Sequence, residues 1–167
     1  MKEIIIMGVV NYDYEVVSTL PPARLFKGFL LDSDNLIPKV VPGAFKSFET
    51  LEGTGGAGTI KLIHFGESSP FKYAKHRVDE VDEANFVYKY SVIEGDALGD
   101  EIESITNVVK IEGSADGGSV VKTSSTYHTK TEHHSITEEK IKEGKDKAKA
   151  LFHAVEAHLH ANPHEYN

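Results

Sequence analysis

The sequence predicts an α+β fold: a curved antiparallel meander of seven strands wrapped around one long C-terminal helix, with two short helices interrupting the strands. Two patterns predict it. Residues 135–162 are the one long stretch with apolar residues at helical spacing: Ile141, Ala148, Leu151, Phe152, Val155 and Leu159 form a stripe, and Glu138, Glu139, Lys142, Lys145, Asp146 and Lys149 crowd the other faces. Most of the preceding chain alternates apolar and polar residues with period two. A helix of about 25 residues, rising ~1.5 Å each, is close to 40 Å long and needs a broad partner surface, which the strands supply.

Residues 8–18 form the first predicted strand, with Val10, Tyr12, Tyr14 and Val16 on one face and Asn11, Asp13 and Glu15 on the other. Pro21 and Pro22 open a short helix, where a missing amide hydrogen does no harm, and Leu25, Phe26, Phe29 and Leu30 give it an apolar stripe. Asp34 and Asn35 cap a second short helix through Leu36 and Ile37, expected to end near Pro38 and Pro42. From Phe45 onward, turns at 53–58, 66–70, 82–85, 95–99 and 116–118 separate six more strands. Ser135 and Glu138 have the spacing of a capping box at the start of the long helix, and Pro163 stops it.

The 167 residues suit one domain with a substantial core. With 40% hydrophobic and 26% charged residues, disorder is not expected, and a net charge of −8 argues against general DNA binding, which needs a basic surface. The absence of cysteine removes disulfides, thiol nucleophiles and cysteine-bound zinc, and suits a reducing compartment. The apolar run in residues 1–7 is far shorter than the ~20 residues that span a bilayer, and no signal-peptide cleavage pattern follows, so the expected location is the cytoplasm, with no membrane partner.

The glycine-rich loop Gly53-Thr54-Gly55-Gly56-Ala57-Gly58-Thr59 lacks the Gly-Lys-Ser/Thr ending of a nucleotide-hydrolysing loop and runs on into a strand at Ile60 and Lys61. It reads as a backbone-determined turn whose amides can receive an anion. The strands carry more chemistry. Lys61, Ile63 and Phe65 share one face, as do Phe71 and Tyr73, then Phe86, Tyr88 and Tyr90, then Ile105, Asn107 and Val109. Unpartnered buried polar groups cost about 1–3 kcal/mol each. Either a solvated or ligand-filled cavity accommodates these groups under the helix, or the tyrosines reach the rim over a dry core. The nine histidines do not suggest a metal site. His133 and His134 are adjacent, His158 and His160 lie on different helical faces, and Pro163 breaks the His160–His164 pair.

The runs Gly8-Val9-Val10-Asn11-Tyr12, Pro22-Ala23-Arg24-Leu25-Phe26-Lys27 and Asp34-Asn35-Leu36-Ile37-Pro38-Lys39, with the loop at 52–61, carry a family resemblance. So do Phe71-Lys72-Tyr73, Arg77-Val78-Asp79, the run 90–96 and Tyr127-His128-Thr129-Lys130. From residue 8 to residue 167 the chain resembles the major birch pollen allergen family, the class-ten pathogenesis-related plant proteins of the START-like superfamily. Residues 1–7 precede the resemblance as an N-terminal extension. The resemblance implies a seven-stranded sheet gripping the long helix, the short helices in a V beneath it, and a large internal cavity. It also implies binding of amphiphilic molecules such as flavonoids, cytokinins, steroid hormones and fatty acids by a mostly monomeric, cofactor-free defence or stress protein of the cytoplasm, also nucleus, with allergens among its relatives.

Under that resemblance the candidate ligand contacts are Phe29, Leu30 and Ile37 from the short helices, and Lys61, Ile63, Phe65, Phe71 and Tyr73 from the first half of the sheet. The remainder are Tyr88, Tyr90, Asn107 and Val109, with Gly144, Ala148 and Leu151 from the long helix. Gly144 is a weak point at which a local bend would admit ligand. Two alternatives stay open. One is a ribonuclease, with RNA a weak partner, using Lys61, Glu103 and Glu156; His158 stands where the family carries a tyrosine. The other is a hormone-gated, receptor-like protein of the abscisic-acid type that acts through phosphatase inhibition. The lysine of an alkaloid-forming relative has no counterpart, its position falling within residues 102–105.

Overall fold

The computed structural model describes residues 5–131 and 135–167, with side chains from Gly8 onward save Ser135. In chain order the elements are β1 (Ile5–Met7), β2 (Val9–Ser18), α1 (Pro22–Leu25), a π-helical turn (Phe26–Leu31), α2 (Ser33–Val40), β3 (Phe45–Glu52) and β4 (Ile60–Phe65). There follow β5 (Tyr73–Asp82), β6 (Val87–Gly95), a 3-10 turn (Asp96–Leu98), β7 (Ile102–Gly113), β8 (Ser119–Thr129), β9 (Ser135–Thr137) and α3 (Glu138–Ala161). His133 and His134 lie outside the described residues.

Seven strands form one antiparallel sheet in the order β2-β8-β7-β6-β5-β4-β3. Register shifts at Phe45/Ser47, Thr50/Glu52, Lys75/His76, Val78/Glu80 and Ile102/Ser104 locally increase twist and bend the sheet into a grip for α3. This is the predicted architecture, with one addition. Residues 5–7, set apart as an extension in the sequence, pair antiparallel with residues 135–137, and Gly8 turns between β1 and β2 at φ 85°.

That pairing moves the start of the long helix. Ser135 belongs to β9, and Thr137 is the N-cap, its hydroxyl accepting from the Lys140 amide at 3.1 Å. The helix therefore starts two residues later than the Ser135–Glu138 spacing predicts. The second short helix ends at Val40, between Pro38 and Pro42 as expected, but it begins earlier: Asp32 is the N-cap, Asp34 and Asn35 lie inside the helix, and it runs through Pro38. Proline removes only its own donor there, and the Val41 amide still closes the helix on the Ile37 carbonyl at 2.9 Å.

Arg24 ties the short helices to the far end of α3. Its guanidinium donates to the carbonyls of Leu159 at 2.6 Å, Asn162 at 2.8 Å and Glu165 at 2.9 Å, placing a cation where helix carbonyls lack intrahelical partners. Around that end lies the larger core, in which Leu25, Phe26, Leu36, Phe152, Val155 and Leu159 are all almost fully buried. Each such side chain contributes about 1.5–3 kcal/mol on burial. A second, smaller core of Val10, Leu98, Ile102, Tyr127, Ile136 and Ile141 sits at the beginning of the helix.

Candidate functional site

The gap between the two cores comes from a break in the helical stripe. Between Ile141 and Ala148 the next turn of that stripe falls on Gly144 and Lys145, so no apolar side chain fills the space beneath α3. A cavity of about 240 Å³ lies there. Its apolar walls include Phe29 and Leu30 below, Val109 and Val121 on the sheet, and Leu151 and Phe152 on α3.

Its polar wall is phenolic. Tyr12 and Tyr14 on β2, Tyr90 on β6 and Tyr127 on β8 all border the cavity, with Asn107 between them. Asn107 is satisfied by the Ser125 hydroxyl, which donates to its Oδ1 at 2.7 Å. Burial raises the pKa of Tyr14, Tyr90 and Tyr127, so at neutral pH each presents an O–H rather than a phenolate. Among the described residues no buried side-chain polar atom lacks a partner. The concern that so many inward polar groups would go unsatisfied is met partly by such bonds and partly by hydroxyls that border open space.

A second recess, of about 410 Å³ and more polar, opens at the glycine loop between Leu31, Asp34, Thr50, Lys61 and Tyr88. The Lys61 ammonium donates to Asp34 Oδ1 at 2.8 Å, with side chains 9% and 28% exposed, so a sheet cation is anchored on the first turn of α2. The loop spends several of its amides on itself and on β5. The Gly55 amide donates to Thr59 Oγ1 at 2.9 Å, the Gly58 amide to the Val78 carbonyl at 2.7 Å and the Thr59 amide to the Gly56 carbonyl at 3.1 Å. That leaves few donors for the anion role considered from sequence.

His76 stands between the two spaces. It pairs across strands with Lys61, and its ring stacks on Tyr90 with centroids 5.0 Å apart at 28°. Tyr90 in turn meets Tyr88 at 6.0 Å. His76 is half-buried, and desolvation, with a smaller push from the Lys61 charge, pulls its pKa down to about 3. It is a neutral ring at physiological pH.

Eight of the candidate contacts line the helix-side cavity: Phe29, Leu30, Tyr90, Asn107, Val109, Gly144, Ala148 and Leu151. Lys61 and Tyr88 line the other recess. Ile37 and Ile63 are buried in packing and border neither space. Phe65 packs edge-on against Phe71 at 6.1 Å, and the Lys147 ammonium covers the Phe71 ring at 4.5 Å. Tyr73 is placed on the wrong face by sequence: in β5 it is Ala74, His76 and Val78 that turn inward, and Tyr73 lies beside Glu94, whose hydrogen bond raises its pKa. Sequence reasoning missed Tyr12, Tyr14, Tyr127 and Lys145 as site residues, although the inward alternation of Val10, Tyr12, Tyr14 and Val16 is plain in β2.

Lys61, Glu103 and Glu156 are not brought together. Lys61 is on β4 and Glu103 is exposed at the bulge that opens β7, three strand spacings or roughly 14 Å away across the sheet. Glu156 faces His153 on α3, and His158 pairs with Glu165. Among the described residues no group of three or more His, Cys, Asp or Glu side chains is arranged to hold a metal ion.

The glycine in the stripe has a measurable consequence. A Cβ built on Gly144 would lie 2.9 Å from the Tyr127 hydroxyl oxygen, so alanine there must displace the phenol. The usual gain of roughly 0.5–1 kcal/mol for Gly→Ala in a helix interior is expected to be cancelled in Gly144→Ala. It should reappear when the same change is made in a Tyr127→Phe background, which removes the obstructing oxygen. Urea unfolding of the four proteins decides: a full gain in the single variant would show that Tyr127 does not confine this turn.

A seven-stranded antiparallel sheet gripping a C-terminal helix over an interior cavity, with two short helices closing one end, defines a helix-grip protein. The chain matches the Pathogenesis-related protein Bet v 1 family over residues 7–162, and it belongs to that family. It is 57% identical over 161 residues to "Major pollen allergen Bet v 1-M/N" of Betula pendula, covering 96% of this chain and all of that one. It is 53% identical over 161 residues to "Major strawberry allergen Fra a 1.08" of Fragaria ananassa, with the same coverage. Among solved structures, the crystal structure of Ara h 8.0201 superposes with a TM-score of 0.82 at 36% identity, over 92% of this chain and 99% of that one.

Proposed function

We propose that the protein binds an amphiphilic small molecule in the cavity beneath α3, as a carrier or store in plant defence or stress responses. The observation that carries this reading is the two-sided cavity wall. Phe29, Leu30, Leu151 and Phe152 offer apolar burial on one side, and the hydroxyls of Tyr12, Tyr14, Tyr90 and Tyr127 offer directional hydrogen bonds on the other. Burial supplies the affinity and the hydroxyls set the orientation, a division suited to flavonoids, cytokinins, steroid hormones and fatty acids. Within this reading the protein acts in the cytoplasm, also nucleus.

The separation of Lys61, Glu103 and Glu156 weighs against the ribonuclease alternative, since general acid–base work needs its groups within hydrogen-bond reach of one substrate. Calorimetric titration with a flavonoid, a cytokinin and a fatty acid, with NMR shift mapping alongside, tests the reading. The expected result is saturable binding by at least one, with the largest shifts at Tyr90, Val109 and Leu151. No saturable binding up to millimolar, or shifts confined to exposed residues, would overturn it.

A further inference from the structure

Of the described residues lining the helix-side cavity, one alone carries a formal charge, and it is Lys145. It follows Gly144 in the stripe, at a position that helical spacing would give to an apolar side chain. Its ammonium lies 5.2 Å from the centre of the Tyr12 ring, and no carboxylate of a described residue lies within ion-pair distance of it. A side-chain hydrogen bond with Tyr12, with the Asp146 carboxylate adding a weaker pull from beyond ion-pair distance, holds its pKa above the ordinary lysine value, so it is an ammonium throughout the physiological range. Lys149, one turn further on, also stands over a phenol, at 5.7 Å from the Tyr14 ring, but does not line the cavity.

The Tyr127 hydroxyl borders the same cavity, and the missing Cβ of Gly144, which would lie 2.9 Å from its oxygen, leaves room next to it. The cavity thus has a polar end, made of Lys145, Tyr12 and Tyr127, and an apolar end, made of Val109, Val121, Leu151 and Phe152.

We propose that the occupant is an amphiphilic monoanion of the carboxylate class, its head held by the Lys145 ammonium and its apolar body lying toward Phe152. One cation matches one negative charge; a dianionic head would leave a charge unpaired beside an apolar wall. This assignment rests on the reading of the cavity as a ligand site and adds to it the charge and direction of the ligand.

Calorimetry with decanoate and with decan-1-ol, which share a chain and differ in the head, separates the two claims. Lys145→Met is expected to weaken decanoate by about fivefold while leaving decan-1-ol within about twofold. Lys145→Arg restores decanoate, Lys149→Met changes neither, and added salt weakens decanoate alone in the wild-type protein. Decanoate binding that is indifferent to Lys145→Met and to salt, with decan-1-ol still bound, overturns the charge assignment and leaves the cavity reading standing. Failure of both probes to bind the wild-type protein overturns both. Should Lys145→Met not fold, the salt dependence of the two probes still decides.

Discussion

Asp34→Ala is expected to destabilise the protein by about 2 kcal/mol, whereas Lys61→Met, which breaks the same ion pair, is expected to cost less than about 1 kcal/mol. The asymmetry follows from burial. The Lys61 side chain is 9% exposed and its partner 28%, so removing Asp34 strands an ammonium inside the sheet while removing Lys61 leaves a carboxylate that water can reach. Stranding one member of a fully buried pair costs roughly 3–5 kcal/mol, and the water-accessible recess beside Lys61 lowers that figure here. Part of the Asp34→Ala effect is loss of a carboxylate from the first turn of α2, worth about 0.5 kcal/mol. Guanidinium unfolding of both variants and of the double variant gives the comparison as a cycle. If Lys61→Met proved the more damaging, the pair would be held by the packing of the lysine stem rather than by compensation of a buried charge.

Acidification from pH 6.5 to pH 4.5 is expected to remove about 1–2 kcal/mol of stability, chiefly through His76. Its folded pKa of about 3 lies well below the ordinary 6.5, so over this interval the unfolded chain takes up a proton that the folded protein refuses. The contribution is complete above pH 6.5 and is lost progressively as pH falls toward the folded value. A shift of this size would give a larger loss in a sealed interior; the partial exposure of His76 reduces it.

Carboxylates enter in a lower window. Glu112 is held below its ordinary pKa by Lys122, Asp82 by Asn85, Asp116 by Ser114 and Glu165 by Lys39, so their stabilisation is present above about pH 4.3 and lost below it. His76→Phe keeps a flat ring against Tyr90 and removes the titration. Urea unfolding across the interval should show a slope in the wild-type protein that is nearly absent in the variant. An equal slope in both would place the proton uptake at other histidines.

Much of the fold was legible because its signals are local. The 3.6-residue stripe of α3 and the period-two alternation of the strands need no knowledge of the rest of the chain, and the glycine-bearing turns between them are equally local. Boundaries that depend on distant partners were not legible. Ser135 and Glu138 satisfy a capping pattern, yet pairing of residues 135–137 with residues 5–7 makes that segment a strand and passes the cap to Thr137.

The site divides in the same way. Tyr90, Asn107, Val109, Ala148 and Leu151 could be assigned to inward faces from pattern alone, and the cavity boundary includes all of them. Tyr73 could not, because the parity of β5 is set by its register with β4, where Ala74 opposes Ile63 and His76 opposes Lys61. Lys145 was assigned to the solvated face of α3 because hydropathy counts a lysine as polar wherever it stands. Its place at the cavity rim is decided by a helix whose stripe fails for one turn and by the tyrosines that three separate strands, β2, β6 and β8, bring beneath that gap. The sequence by itself determined the elements, their order and the apolar stripe. Only tertiary structure, through strand register and the approach of α3 to Tyr127, decided which polar groups share one enclosed space.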